Sequence, residues 1–298
     1  MLSNFSRNKR IYKDLCCVSF MVGDMVDRCP TGIVGFDKTC QGGFVRNSDN
    51  LIVGGPGSGK TTFLMQFLWN GITKFGENGL YCSFEPDIVE TLNDAMSYGW
   101  DFSKLSEQGK VKFMRFAPQT SIEDLKDELT KMISKNDIKR ICFDPISVLA
   151  LSLNDPGKIR QTIFDLSALM KRLKVTTVFV DESLEDMWAT NDGDWTKTDI
   201  LRFLSDSVTV FYESGVAGVG DRAFRVAKMR RTAHDRKPVG MKITGKGLEI
   251  LDGAPIEDVV TAHEEVEAVE SVHKEVEIPE TSGDATPQTP MKLGVPQN

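Results

Sequence analysis

The chain has no run approaching the ~20 consecutive apolar residues of a membrane-spanning helix. Its longest N-terminal apolar run covers residues 15–22 and follows basic residues, as a signal segment would. However, Asp14 abuts that run and no small-residue cleavage site follows it, so export is not expected and a cytoplasmic location is. Met21 and Met25 both precede the first motif-like stretch, so each is a candidate biological start. The six cysteines (Cys16, Cys17, Cys29, Cys40, Cys82, Cys142) form no C-x-x-C pair, which argues against a zinc or dithiol site. Cys82 and Cys142 lie inside apolar runs, where a free thiol acts as a small hydrophobe, and a reducing compartment is the simplest setting. No repeat of 20–50 residues is visible, which excludes solenoids and propellers. A basic excess is also missing from the body. Residues 254–298 hold ten acidic and two basic side chains, a net of −8 within a whole-chain charge of −7, so residues 1–253 are about neutral. That balance disfavours a general nucleic-acid binder, although a local patch is still allowed.

What is present is a loop. Residues 54–62 read Gly54-Gly55-Pro56-Gly57-Ser58-Gly59-Lys60-Thr61-Thr62, with the spacing G-x-x-x-x-G-K-[ST]. An apolar run, 51–53, precedes it, and a helical pattern, 63–69, follows. Glycines let successive backbone N–H groups curl around a phosphate, and the positive end of the next helix points at the same anion. Lys60 is placed to reach the β- and γ-phosphates, and Thr61 to ligate Mg²⁺. The loop implies nucleotide binding, with ATP and Mg²⁺ as the expected ligands.

Around the loop, strand-like and helix-like stretches alternate. Short apolar strands are expected at 51–53, 80–84, 111–116, 139–144 and 176–180, with helices after the loop and at 87–98, from 121, and 155–173. Gly76 and Gly99 suit helix C-caps, and Ser121 an N-cap with Asp124 in the capping-box position. Residues 185–197 read as a loop. Later runs at 207–212, 222–228 and 239–243 make a β-rich part, with Thr244–Gly247 as a hairpin turn. The expected fold is α/β, with a mostly parallel sheet covered by helices on both faces and a C-terminal hairpin region. Residues 1–28 read as an extension, 29–253 as the folded domain, and 254–298 as an acidic, disordered tail.

Three features carry the chemistry. Asp144 ends an apolar strand, where a carboxylate would sit beside Mg²⁺, directly or through water. Glu85 ends the strand after the loop helix, on the edge that faces the nucleotide in a parallel sheet, and there it would orient or deprotonate water. Asp181 and Glu182, on the same edge, are weaker candidates for sensing the γ-phosphate. The third feature is basic: Lys228 and Arg230 fall on one side of a late strand. Spacing leaves three readings open: fingers reaching a neighbour's γ-phosphate, a solvated basic strand, or a nucleic-acid patch.

The ordered set brings a family into view. Residues 30–37 (Pro-Thr-Gly-Ile-Val-Gly-Phe-Asp), Gly42-Gly43, the loop 54–62, Phe84-Glu85, Gly99-Trp100-Asp101, Asp144, and Lys228-Met229-Arg230 with Thr232 and His234 span most of 29–251. This set resembles the single-domain KaiC-like proteins of the RecA superfamily, relatives of archaeal RadA-type recombinases. The resemblance implies a RecA-type core stacked into a ring, usually a hexamer, with ATP between subunits. It assigns Gly55, Pro56, Gly57, Ser58, Gly59, Lys60, Thr61 and Thr62 to the phosphates, and Thr61 and Asp144 to Mg²⁺. Glu85 becomes the catalytic glutamate, Lys228 and Arg230 the trans-acting pair, and His234 part of the same nucleotide-facing segment. One departure stands out: KaiC-like proteins typically carry a second glutamate where this chain has Pro86, which cannot act as a base. Only one P-loop is present, so the resemblance does not reach the two-ring clock protein, and no clock role is implied. The expected function is a ring-shaped regulatory ATPase with a protein partner. The alternatives are a recombination or repair accessory binding single strands, and a nucleotide-sensing scaffold with little turnover. Trp188 and Trp195 offer stacking surfaces for a single strand, but the acidic residues around them would repel phosphates.

Overall fold

The computed structural model describes residues 26–84, 88–117, 120–151, 155–182, 197–213 and 222–251. Among these residues the chain runs β1 (Arg28–Cys29), α1 (Val34–Thr39), β2 (Phe44–Val45), β3 (Asp49–Gly54), α2 (Lys60–Phe75), β4 (Asn78–Ser83), α3 (Ile88–Ser97) and α4 (Phe102–Glu107). It continues through β5 (Val111–Arg115), α5 (Ile122–Asn136), β6 (Ile138–Asp144), α6 (Ser147–Leu151), α7 (Pro156–Arg172), β7 (Thr176–Asp181) and α8 (Lys197–Leu204). The last four strands are β8 (Ser207–Glu213), β9 (Arg222–Met229), β10 (Val239–Thr244) and β11 (Gly247–Ile250).

Nine strands form one sheet in the order β11-β10-β9-β8-β3-β7-β6-β4-β5. From β8 to β5 all pairings are parallel; from β8 to β11 they are antiparallel. β3 sits between β7 and β8, while β4, next in sequence, pairs with β5 and β6. The strand order therefore reverses at β3, and the crevice beyond its C-terminal end is where open α/β sheets bind ligands.

Alternation along each strand feeds two cores. Leu51 and Val53 pack with Ile141, Phe143 and Phe179 against α5, α7 and α8. Ile52 packs on the other face with Val178, Val180 and Phe63 of α2, together with α3 and α4. Burial on both faces explains the continuous apolar runs of these strands. Among the described residues, no helix is long and apolar enough to cross a membrane.

The expected caps are present. Gly76 and Gly99 end α2 and α3 with φ of 68° and 79°, and the Ser121 hydroxyl accepts from the Asp124 amide at 3.1 Å. Gly99-Trp100-Asp101 is a stop–anchor–start unit: Trp100 is buried, and the Asp101 carboxylate accepts from the Lys104 amide at 3.0 Å to open α4. Trp100 packs so tightly under the β10–β11 hairpin that a Cβ on Gly247 would come within 2.4 Å of its ring. The sequence pattern missed α1, α4, α6 and α8, each too short to show a helical period. The first of these begins within residues 30–37. There the Asp37 carboxylate folds back to accept from the Thr31 amide and hydroxyl at 2.8 and 2.7 Å and the Gly32 amide at 2.9 Å. Of the stretch 185–197 read as a loop, Lys197 begins α8 and the rest lies outside the described residues, as does the acidic tail.

Candidate functional site

The loop leaves β3 and turns directly into α2. Gly57 and Gly59 take left-handed φ of 76° and 97°, and Gly59 is the N-cap of the helix. A Cβ on Gly54 would lie 2.5 Å from the Phe211 carbonyl oxygen, so the loop can pass β8 only without a side chain there. Lys60 is 6% exposed, and its ammonium donates to the Gly54 and Gly55 carbonyls at 2.8 Å each. The Ser58 hydroxyl closes the turn onto the Gly55 carbonyl at 2.8 Å. A buried cation in a glycine loop at a helix N-terminus is suited to an anion.

The Asp144 carboxylate lies at the end of β6, 8% exposed. Its Oδ2 accepts from the Thr61 hydroxyl at 2.9 Å and the Tyr81 hydroxyl at 2.7 Å. Burial pushes the Asp144 pKa up, while the Tyr81 and Thr61 hydroxyls and the Lys60 charge pull it part of the way back. Residues expected to hold Mg²⁺, Thr61 and Asp144, are therefore in contact across 83 positions of sequence. A carboxylate and a hydroxyl together are the oxygen donors that Mg²⁺ takes. Asp181, buried at the end of β7, is in register with Val53, so it shares this edge. Phe84 stands beside the carboxylate strand, its amide donating to the Asp144 carbonyl at 3.0 Å. The next residue, Glu85, and Pro86 lie outside the described residues.

Two contributors were not singled out by sequence reasoning. Tyr81 puts a phenol inside the strand run 80–84, which was the available signal. Arg222 opens β9 and donates through Nε to the Gly57 carbonyl at 2.8 Å.

Lys228 and Arg230 lie elsewhere. β9 runs antiparallel to β8, so Arg222 is level with Glu213 beside the loop, while Lys228 pairs with Val208 near the opposite end. Six residues of strand separate Arg222 from Lys228, about 20 Å. The Lys228 ammonium donates to the Arg202, Phe203 and Ser205 carbonyls at 3.0, 3.1 and 2.7 Å, which satisfies the C-terminal end of α8. Burial and the neighbouring Arg230 charge lower the Lys228 pKa. Arg230 pairs with Asp206 at 3.3 Å, and Asp206 with Lys171 at 2.8 Å. Thr232 accepts from Arg28 at 2.7 Å, and His234 is half-buried in the following turn. Trp188 and Trp195 lie outside the described residues.

A parallel sheet with a strand–glycine loop–helix at its switch point and a strand-end carboxylate beside it defines a P-loop fold of the RecA type. A family model described as "ATPase: KaiC" matches residues 29–254. The chain belongs to the KaiC ATPase family. It is 31% identical over 226 residues to a circadian clock oscillator protein KaiC of Prochlorococcus marinus, covering 73% of this chain and 43% of that protein. A KaiC of Parasynechococcus marenigrum is 31% identical over 235 residues, covering 76% and 45%. The chain thus matches less than half the length of these curated relatives. Among solved structures, a KaiC-like protein of the hyperthermophilic archaeon Pyrococcus horikoshii superposes with a TM-score of 0.66 at 28% identity, covering 76% of this chain and all of that one.

Proposed function

We propose that this chain binds ATP with Mg²⁺ at residues 54–62, hydrolyses it, and works as a head-to-tail ring, hexameric by the family resemblance, that regulates a protein partner in the cytoplasm. The observation that carries the binding half is the meeting of buried Lys60, the Thr61 hydroxyl and the Asp144 carboxylate at the end of β3. The backbone N–H groups of the loop, Pro56 excepted, and Lys60 would orient the phosphates and offset their charge. Thr61 and Asp144 would hold the metal, which when bound supplies Lewis-acid neutralisation of phosphate charge. Glu85, one residue past Phe84, would orient or deprotonate the attacking water.

Completion by a neighbour rests on separation. Lys228 and Arg230 stand about 20 Å along the sheet from their own loop. On this reading they, with His234 nearby, act on the nucleotide of the next copy. Such heterologous contacts close into rings when the rotation permits. The test is turnover and oligomeric mass, with and without Mg-ATP, for the parent, Lys60→Ala, Glu85→Gln and Arg230→Ala. Lys60→Ala should lose nucleotide binding. Arg230→Ala should bind but turn over ~10³-fold more slowly or worse, and mixing it with Lys60→Ala subunits should restore activity. A parent that neither binds ATP nor assembles would overturn the proposal.

A second reading, a nucleotide-gated scaffold with little turnover, is favoured by Lys228, whose three donors are taken by carbonyls of its own chain. Binding and assembly without turnover in the parent would select it. Single-stranded nucleic acid remains the least favoured partner on charge.

A further inference from the structure

We infer that Tyr81 is a positioning residue for the metal site: its phenol fixes Asp144 so that one carboxylate oxygen is committed to the protein and the other is left for Mg²⁺. This rests on the nucleotide–metal reading above and extends it to a residue outside the loop and strand-end motifs. Tyr81 lies on β4, opposite Cys142 of β6, while Ser83 is opposite Asp144. Paired residues of adjacent strands share a face, so Tyr81, Cys142 and Asp144 point to the α2 side. The phenol must reach two residues up the sheet, about 6.6 Å, which is close to the length of the side chain. It arrives at Oδ2 at 2.7 Å.

Three observations make this more than a satisfied core tyrosine. Tyr81 is 2% exposed, so its O–H needs a partner and cannot use bulk water. The oxygen it selects is the one that already accepts from Thr61, the residue expected on the metal. Its ring is held against Phe113, with centroids 6.0 Å apart, so the hydroxyl is aimed by packing rather than by chance rotation. Two donors on Oδ2 fix the plane of the carboxylate. They also favour its anionic form, opposing the burial that raises its pKa. A carboxylate fixed by such outer bonds binds metal better, and removing the outer partner typically weakens metal affinity ~10–100-fold.

The experiment is fluorescence titration of a labelled ADP, first in chelator and then against rising Mg²⁺, on the full chain. Tyr81→Phe keeps the ring and removes the hydroxyl. Its metal-free nucleotide affinity should stay within about twofold of the parent. The Mg²⁺ concentration giving half the metal-dependent gain should rise ~10-fold or more. Phe113→Leu loosens the packing and keeps the hydroxyl, so it should shift the midpoint much less. A folded Tyr81→Phe with the parent's Mg²⁺ midpoint would overturn the assignment to Tyr81 alone. So would an equal shift in Phe113→Leu, since that makes the effect one of packing. A parent whose labelled-ADP affinity ignores Mg²⁺ would instead overturn the metal reading beneath it.

Discussion

The two ends of the central sheet both hold charged side chains, and they treat them in opposite ways. At the end away from the loop, cations meet carboxylates. Arg140 and Arg46 share Glu77, both at 2.6 Å, and Lys171 and Arg230 share Asp206. At the loop end, carbonyls and hydroxyls are prominent among the partners. Lys60 donates to the carbonyls of Gly54 and Gly55, Arg222 to that of Gly57, and Asp144 accepts from the neutral hydroxyls of Thr61 and Tyr81. The pKa values of Glu77 and Asp144 also differ in direction, although Asp49 at the far end is raised as well. Burial pushes Glu77 up, but Arg140 and Arg46 bring it below its ordinary value; Asp144, more deeply buried, stays raised. One end pairs arginine and lysine directly with carboxylates. At the other, Lys60 and Asp144 each bond to neutral groups while the Lys60 charge still acts on Asp144, an arrangement suited to phosphate and metal.

The largest effect is expected at Glu77. Arg140 is 0% exposed, with Nε on Glu77, one Nη on the Phe67 carbonyl at 3.1 Å, and its guanidinium over the Phe67 ring at 4.5 Å. Glu77→Gln leaves that buried cation without its counter-charge. Removing one partner of a buried pair costs about 3–5 kcal/mol, so the urea midpoint should fall far enough to be measured directly. A loss below about 1 kcal/mol would mean that the pair is not what locks this end.

The next effect concerns Asp49, at the base of the loop strand. Burial pushes its pKa up from 3.8 to about 6, against the pull of Ser167 and Lys171. A carboxyl raised in the folded state contributes stability that is fully present below about 3.8 and is lost as pH rises to about 6. The gap corresponds to about 3 kcal/mol. Asp49→Asn abolishes the titration, so the variant should gain on the parent by about that amount between pH 4 and 7. Unfolding curves at both pH values read it, and parallel pH dependence in the two proteins would refute the assignment.

Much of the loop end was legible because its chemistry is local. G-x-x-x-x-G-K-[ST] is contiguous, and Asp144 could be placed from one apolar run and the rule that parallel strands present their C-terminal ends together. The other end was not legible. Glu77 and Arg140 are 63 positions apart, and nothing in Ile138–Asp144 marks Arg140 as a fully buried cation. Tyr81 escaped for a related reason: its bond depends on the β4–β6 register, which sequence period does not fix. Lys228 was read correctly as strand-borne and basic. Its engagement with the end of α8 could not be foreseen, because α8 itself was missed. Gly99-Trp100-Asp101 was specific as a resemblance, and its reason is structural: it ends one helix, anchors the hairpin and starts the next.

The smallest effect is expected from removing an arginine at the loop end. Arg222, like Arg140, is a strand arginine bonded to a partner distant in sequence, here the Gly57 carbonyl at 2.8 Å. Unlike Arg140, it is partly exposed, and its acceptor is a neutral dipole. When Arg222→Gln removes the donor, water can replace it, so only the net value of an exposed hydrogen bond is at risk, about 1 kcal/mol or less. The free protein's urea midpoint should therefore barely move, several times less than for Glu77→Gln. If the two variants lose equal stability, the loop end is as locked as the other and the contrast fails. If Arg222→Gln leaves the free protein intact but lowers the melting temperature gained on adding ADP, then the strut matters only when the loop is filled. That outcome would tie the start of β9 to occupancy of its own loop, on the same strand whose far end carries Lys228.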